Sequence, residues 1–159
     1  MFIVVGTDIY TMYERILVPT DGSENAKAAM THALSLGTQH DAEIHLLHVI
    51  NTRRYDTSIE SQVAPLRRKG NRYIEEHVEA AAETDISLTT AMELGKPAAT
   101  ILKYADEHDV DLIVMGTRGH GGLARRLLGT TTSYVTTHAN VPVYVVPAAS
   151  EPDSETEGR

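Results

Sequence analysis

Short apolar runs that end in turn residues alternate along this chain with stretches whose apolar residues recur at helical spacing. That alternation constrains the fold more than any other feature. A strand that is apolar along its whole length must be buried on both faces, and strand-helix repetition buries it in a parallel sheet covered on both faces. Arg15-Ile16-Leu17-Val18-Pro19-Thr20-Asp21 is the first such run. Ser23 then stands where a helix cap belongs, Ala26, Ala29, Met30, Ala33 and Leu34 follow at helical spacing, and Gly37 is the expected stop. Ile44 to Ile50 predicts a second strand. Ile59, Val63, Leu66, Tyr73, Ile74, Val78 and Ala81 predict a long amphipathic helix, with Pro65 near its first turn or kinking it and Gly70 weakening it. A third strand is expected from Ile86 to Leu94. Pro97 opens a helix with Ala98, Ile101, Leu102 and Ala105 inward, and Asp111 to Met115 is the clearest strand. A helix from about Thr131 to His138 leads to a fifth strand, Val141 to Val146, where Pro142 near the start suits an edge. The expected class is α/β: an open five-stranded parallel sheet, Rossmann-like, with helices on both faces.

The 159 residues suit one domain, placed at residues 12–148, with no interior linker or repeat. Residues 1–11 lie outside the pattern and are expected to be an N-terminal extension: an extra strand or an upstream start. Their MFIVVGTDIYT lacks the basic segment and cleavage-type tail of a secretory signal. Residues 149–159, polar and acidic, are expected to be a disordered tail. No apolar run approaches the ~18 residues that span a bilayer, so no membrane partner is expected. The net charge of −8 repels phosphate backbones and argues against nucleic acid. The absence of cysteine fits a cytoplasmic protein and excludes disulfides and thiolate metal sites.

In such a sheet ligands bind beyond the carboxyl ends of the strands, and the informative residues fall there. The fourth strand, through Met115, runs into Gly116-Thr117-Arg118-Gly119, and Gly129-Thr130-Thr131-Thr132 then opens a helix. Glycines let backbone approach a phosphate, a helix start favours an anion, and threonine hydroxyls add donors, one of which can reach a metal carried by the phosphates. The alternative is a glycine-rich surface loop with an N-cap threonine. Pro19-Thr20-Asp21-Gly22-Ser23 closes the first strand. Asp21 is either an acceptor for adenine or ribose, a metal holder, or a turn aspartate bonding its own backbone. Gly95-Lys96-Pro97 borders the same crevice or is simply a strand-to-helix turn.

Taken together, these segments resemble the universal stress protein family from about Tyr13 to Pro147. The matching pieces are Ile16-Leu17-Val18-Pro19-Thr20-Asp21-Gly22-Ser23, Leu47-His48-Val49, Gly95-Lys96-Pro97, Asp111-Leu112-Ile113-Val114-Met115-Gly116 and Val141-Pro142-Val143. The glycine pattern of the family's ATP-binding branch (Gly, two residues, Gly, nine residues, Gly, then Ser or Thr) is met by Gly116, Gly119, Gly129 and Thr130. The resemblance implies strand order 3-2-1-4-5 and ATP across the ends of strands one and four. Asp21, beside Pro19 and Thr20, and the backbone of Val49 would then lie near adenine and ribose, with Gly95 and Met115 bordering the site. Gly116, Arg118 and Gly119 would flank ribose and phosphates. Gly129, Thr130, Thr131 and Thr132 would cradle the phosphates with magnesium or manganese, Thr132 being a candidate contact to the ion. It further implies a homodimer through Val143 to Val146. Thr131 departs from the family, which often carries an apolar residue there. Arg125 and Arg126, between the glycines, either close over a triphosphate or are solvated.

Other chemistries lack support. There is no Gly-x4-Gly-Lys-Ser/Thr loop. Gly119-His120-Gly121-Gly122-Leu123-Ala124 follows the fourth strand rather than the first, which weakens a dinucleotide site. A phospho-receiver would need an aspartate ending the third strand and a lysine ending the fifth. His45 and His48, three apart on a strand, face opposite ways and cannot share an ion. No Gly-x-Ser-x-Gly elbow supports a hydrolase triad. The chain is therefore read first as an ATP-binding stress-response or signalling module. The alternatives are a slow ATPase or self-phosphorylating protein, or a sensor of AMP or another adenine nucleotide.

Overall fold

A computed structural model describes residues 12–118 and 127–147. Five parallel strands form one sheet: β1 (Arg15–Thr20), β2 (Glu43–Asn51), β3 (Leu88–Gly95), β4 (Leu112–Gly116) and β5 (Val143–Val146), in the order β3-β2-β1-β4-β5. The connections are α1 (Glu24–His40), α2 (Glu60–Ala81), α3 (Pro97–Glu107) and α4 (Thr130–His138). The chain winds outward from β1 in one direction through β2 and β3, then crosses back to β4 and β5. Right-handed crossovers therefore put α1 and α2 on one face and α3 and α4 on the other. The core is correspondingly double. Ile16, Val18, Ile44, Leu46, Leu112 and Val114 pack with Ala29, Met30 and Ala33 of α1 and Ala81 of α2. Leu17, Leu47, Ile113 and Met115 pack with Ile101, Tyr104 and Ala105 of α3 and Val135 of α4. This is the Rossmann-like α/β fold that the alternating pattern predicts. Among the described residues no helix is long and apolar enough to cross a membrane.

Helix ends follow local chemistry. Ser23 Oγ accepts the Ala26 N–H at 3.2 Å and caps α1, and Pro97 occupies the first position of α3. α1 does not stop at Gly37, however. It continues to His40 and ends at Asp41, whose φ of 53° is left-handed and whose N–H caps the chain. Gly37 is buried inside the helix, where a Cβ would lie 3.3 and 3.4 Å from Ile86 and Ile44. Pro65 lies in the second turn of α2 rather than the first and is exposed. Gly70 is helical for a packing reason: a Cβ there would lie 2.6 Å from the His48 ring. The inward row of α2 also differs by one position, since Val78 is 40% exposed while His77 is 2% exposed. The expected extension, residues 1–11, and the expected tail, residues 149–159, lie outside the described residues, as does residue 148.

The turn after β1 depends on glycine. Gly22 has φ +77°, and a Cβ there would run into the Tyr73 ring of α2. Gly22→Ala is expected to cost about 1–3 kcal/mol from the backbone conformation alone, plus the displacement of Tyr73. Urea denaturation would measure it, and a loss under half a kcal/mol would contradict this account.

Candidate functional site

The site begins where two strands stop pairing. β1 and β4 are in register only at Ile16 with Leu112 and Leu17 with Ile113, whereas β1 and β2 pair through to Thr20. The cause lies in β1. The Glu14 carbonyl accepts the Glu43 N–H on the β2 side, and the Arg15 carbonyl accepts the Asp111 N–H on the β4 side. In a parallel strand successive residues alternate between neighbours, so Leu17 and then Pro19 turn their backbone toward β4. Pro19 has no N–H to offer. The ladder ends, the strands part, and a crevice of about 620 Å³ opens at the carboxyl edge of the sheet. That is within the range of small-molecule sites.

One wall of the crevice is the start of α4, a seat of backbone amides. Gly129 caps α4, and the first helical bond is from the Ser133 N–H to the Gly129 carbonyl at 2.9 Å. The amides of Thr130, Thr131 and Thr132 thus precede the first intrahelical donor, no side chain caps the helix, and the helix dipole stands behind them. Two bonds fix this seat. The Gly129 N–H donates to the Thr117 carbonyl at 2.7 Å, closing the base of the loop, and the buried Thr132 hydroxyl donates to the Gly116 carbonyl at 2.8 Å. The Thr132 oxygen keeps its lone pairs but is held beside β4. Thr130 is exposed and Thr131 half-buried.

The opposite wall is the turn after β1. Asp21 Oδ1 accepts the Ser23 N–H at 2.9 Å, so the aspartate does bond its own backbone while lining the crevice. Behind it, Thr20 is held from two sides. Its carbonyl accepts from His48 Nδ1 at 2.8 Å, and its hydroxyl lies 2.7 Å from His77 Nε2 and accepts the Gly22 N–H at 3.1 Å. Burial holds the His77 ring below the usual histidine range; the nearby carboxylates of Glu76 and Asp21 act the other way.

Pro19, Thr20, Asp21, Val49, Met115, Gly116, Arg118, Gly129, Thr130, Thr131 and Thr132 all line this crevice. Gly95 does not. Its carbonyl accepts the Thr52 N–H at 3.1 Å, and a Cβ there would strike the Thr100 hydroxyl, so its lack of a side chain serves packing. Gly119, His120, Arg125 and Arg126 lie outside the described residues. Gly116 also has a packing role, since its Cβ would sit 2.8 Å from the Asn25 carbonyl oxygen of α1. Asn51, Arg54, Leu127 and Leu128 line the crevice without having been singled out in the sequence. Asn51 and Arg54 follow the second strand, whose carboxyl end was the available signal.

Among the described residues no group of three histidine, aspartate or glutamate side chains is placed to hold a metal. A second cavity of about 600 Å³ lies at the amino edge, lined by Glu14, Asp41, Glu43, Glu83 and Asp85 with Arg15. Its charge disfavours anions.

Comparison with known proteins agrees with the geometry. Residues 12–147 match the model of the universal stress protein family. A universal stress protein of Methanocaldococcus jannaschii, MJ0531, is 34% identical over 85% of this chain and 82% of its own. The solved structure of MJ0577, a universal stress protein of the same organism, superposes with a TM-score of 0.80 at 31% identity, covering 88% of this chain and 99% of that one. Universal stress protein UspA from Lactobacillus plantarum gives 0.76 at 33%, covering 84% and 97%.

Replacing Thr132 by valine keeps the shape but leaves the Gly116 carbonyl without its donor. Thr132→Val is expected to cost about 1–2 kcal/mol, read as a lower urea midpoint with an unchanged slope. Wild-type stability in this variant would mean that the latch contributes nothing.

Proposed function

The chain belongs to the universal stress protein family, and from that premise we propose that it binds ATP, as the magnesium or manganese complex, in the crevice between β1 and β4. The observation that carries this reading is the set of three amides at the start of α4, aimed with the helix dipole at the open end of the sheet. Such an arrangement favours a phosphate group. Adenine and ribose lie toward Asp21 and the Val49 backbone. Gly116, Arg118 and Gly119 flank ribose and phosphates, and Gly129 to Thr132 take the phosphates. The ion rides on phosphate oxygens, with the Thr130 and Thr132 hydroxyls within the same segment.

The protein acts as a cytoplasmic stress-response or signalling module. Occupancy shifts the loop from Gly116 to Gly129, whose base is tied to Thr117, together with the dimer surface, and a partner reads the change. β5 is an edge strand with Tyr144 44% exposed, and a second copy pairing along Val143 to Val146 would cover it. Efficient hydrolysis would require a group placing water in line with the terminal phosphate. Asp21, with one oxygen already accepting the Ser23 amide, is poorly placed to be that base.

Thermal-shift and calorimetric titration test the ligand. ATP with magnesium is expected to raise the melting temperature more than ADP, and ADP more than AMP, because each added phosphate can use amides of α4. At ligand a hundred times above Kd the stabilisation is about 2.7 kcal/mol. Two more distant proteins of this fold are solved in complex with cAMP and with dAMP, so both belong in the series. Gly129→Val places a branched side chain where even a Cβ would be 3.2 Å from Arg118 Cα. It should lower ATP affinity about a hundredfold, or ~2.7 kcal/mol. Unchanged affinity would put the phosphates elsewhere.

Phosphate release is expected to stay near background. Turnover many times above background that collapses in Thr130→Ala would instead make the protein an ATPase.

A further inference from the structure

His77 is 2% exposed, comes from α2 rather than from the crevice, and is used by none of the chemistry above. Its Nε2 lies 2.7 Å from Thr20 Oγ1, and the same oxygen accepts the Gly22 N–H at 3.1 Å. By strand alternation the Thr20 side chain shares the face of Ile16 and Val18, packed against α1 and α2, while its backbone borders the crevice. His77 therefore grips from behind the turn that carries Asp21. We propose that His77 is a protonation-sensitive positioning residue for the nucleotide site, holding the Thr20–Gly22 turn in its binding geometry only while the imidazole is neutral. This rests on the nucleotide reading above.

The reason is hydrogen-bond direction. A Thr hydroxyl has one hydrogen and two acceptor lone pairs. With Gly22 donating to Thr20 Oγ1, the hydroxyl hydrogen is available to Nε2, which accepts it only through the lone pair of the neutral ring. Adding a proton to Nε2 makes it a second donor to Oγ1, both lone pairs of that oxygen are then taken, and the Thr20 hydrogen must swing away from Nε2 and loses its acceptor. The turn is least able to absorb this by sliding. Gly22 is at φ +77° under the Tyr73 ring, and the Thr20 carbonyl is separately pinned by His48.

The charged neighbours are few. From α1, Lys27 faces the site, tied to Glu24 at 3.1 Å and to Glu76 of α2 at 3.2 Å. Asp21 approaches from the turn, and His48 of β2, which holds the Thr20 carbonyl, contacts the Tyr73 ring of α2. Glu76 and Asp21 favour the charged ring and Lys27 opposes it, but burial dominates and favours the neutral form. Because the folded ring is harder to protonate than the unfolded one, this group's contribution to stability is complete above the ordinary histidine range. It is lost as pH falls through the folded value.

The test compares wild type with His77→Gln, whose side-chain carbonyl accepts from Thr20 but cannot titrate. ATP affinity is measured from about pH 7.5 down to the lowest pH at which both proteins remain folded, because the buried ring takes up its proton below the ordinary histidine range. Titration of ATP itself cancels in the ratio of the two proteins. The variant should match wild type within about twofold at the higher pH. At the lower pH wild type should lose about three- to tenfold more affinity than the variant, up to a factor of ten per proton and pH unit. Parallel pH profiles would overturn the proposal.

A second arm uses wild type alone and no ligand. Ring nitrogen NMR should find the Nδ1–H tautomer at neutral pH, and the Gly22 amide should shift with the same midpoint as the His77 ring. An Nε2–H tautomer, or a Gly22 amide indifferent to His77 titration, would overturn it. If wild type fails to bind ATP at the higher pH, the nucleotide reading fails, and the NMR arm still decides whether His77 controls the turn.

Discussion

The missing N–H of Pro19 is the constraint on which the site depends. Hydrogen bonds hold a parallel sheet closed along its length, and a strand in the middle of the sheet normally uses both of its sides. β1 is central, with β2 and β4 as neighbours. Proline is therefore expected only where a rung can be given up. Here the lost rung is on the β4 side alone. β1 stays zipped to β2 through Thr20 while it parts from β4 after Leu17. The topological switch point lies between these same two strands, because the connections leave β1 toward β2 on one side and return to β4 on the other. Topology leaves the gap uncovered, and Pro19 lets it open.

The glycines gain a second meaning from this geometry. A glycine-rich pattern in a sequence suggests backbone approaching a ligand, but Gly116 and Gly95 each lack room for a Cβ because of the protein itself, against Asn25 and Thr100. Gly129 is tight against Arg118 for the same kind of reason. Packing and ligand approach are compatible. By letting β4 end close against α1, and α4 start close against the loop base, these residues bring the threonine amides to the edge of the sheet. Gly116 and Gly129 thus shape the wall of the crevice.

Much of the fold was legible in the sequence because it is written in local terms. Apolar runs marked four of the strands and a weaker alternation the third, Ser23 and Pro97 marked helix starts, and the three-residue spacing of His45 and His48 put them on opposite faces. In the structure His45 meets Tyr104 of α3 and His48 meets Tyr73 of α2. What was not legible depends on partners distant in sequence. Gly37 has the chemistry of a helix stop but is buried among Ile44 and Ile86, and Asp41 ends the helix instead. Val78 fits the apolar row of α2, yet His77 takes the buried place because Thr20, fifty-seven positions earlier, supplies a hydrogen-bond partner. At the candidate site, strand-end position pointed to most of the lining. It did not distinguish residues that face the crevice from those, such as Gly95, that end a strand against a neighbouring helix.

A chain with net charge −8 is at first sight a poor host for a polyanion. The distribution of charge removes that objection to the proposed nucleotide site. Carboxylates gather around the cavity at the amino edge of the sheet, with Glu14, Asp41, Glu43, Glu83 and Asp85 on its lining, while the lining at the carboxyl edge carries Arg54, Arg118 and the amides of α4 against the carboxylate of Asp21. The nine residues of β2 alone separate the two edges by about 30 Å at the usual rise per residue. The screening length in physiological salt is about 8 Å. Acidic groups several screening lengths away contribute little at the crevice, where oriented amides at contact distance act unscreened. The same distance argument explains why the net charge of the chain discriminates poorly between ligands. What discriminates is how the end of each strand is finished, and at β1 that finish is a proline, a threonine held by two histidines, and an aspartate folded onto its own turn.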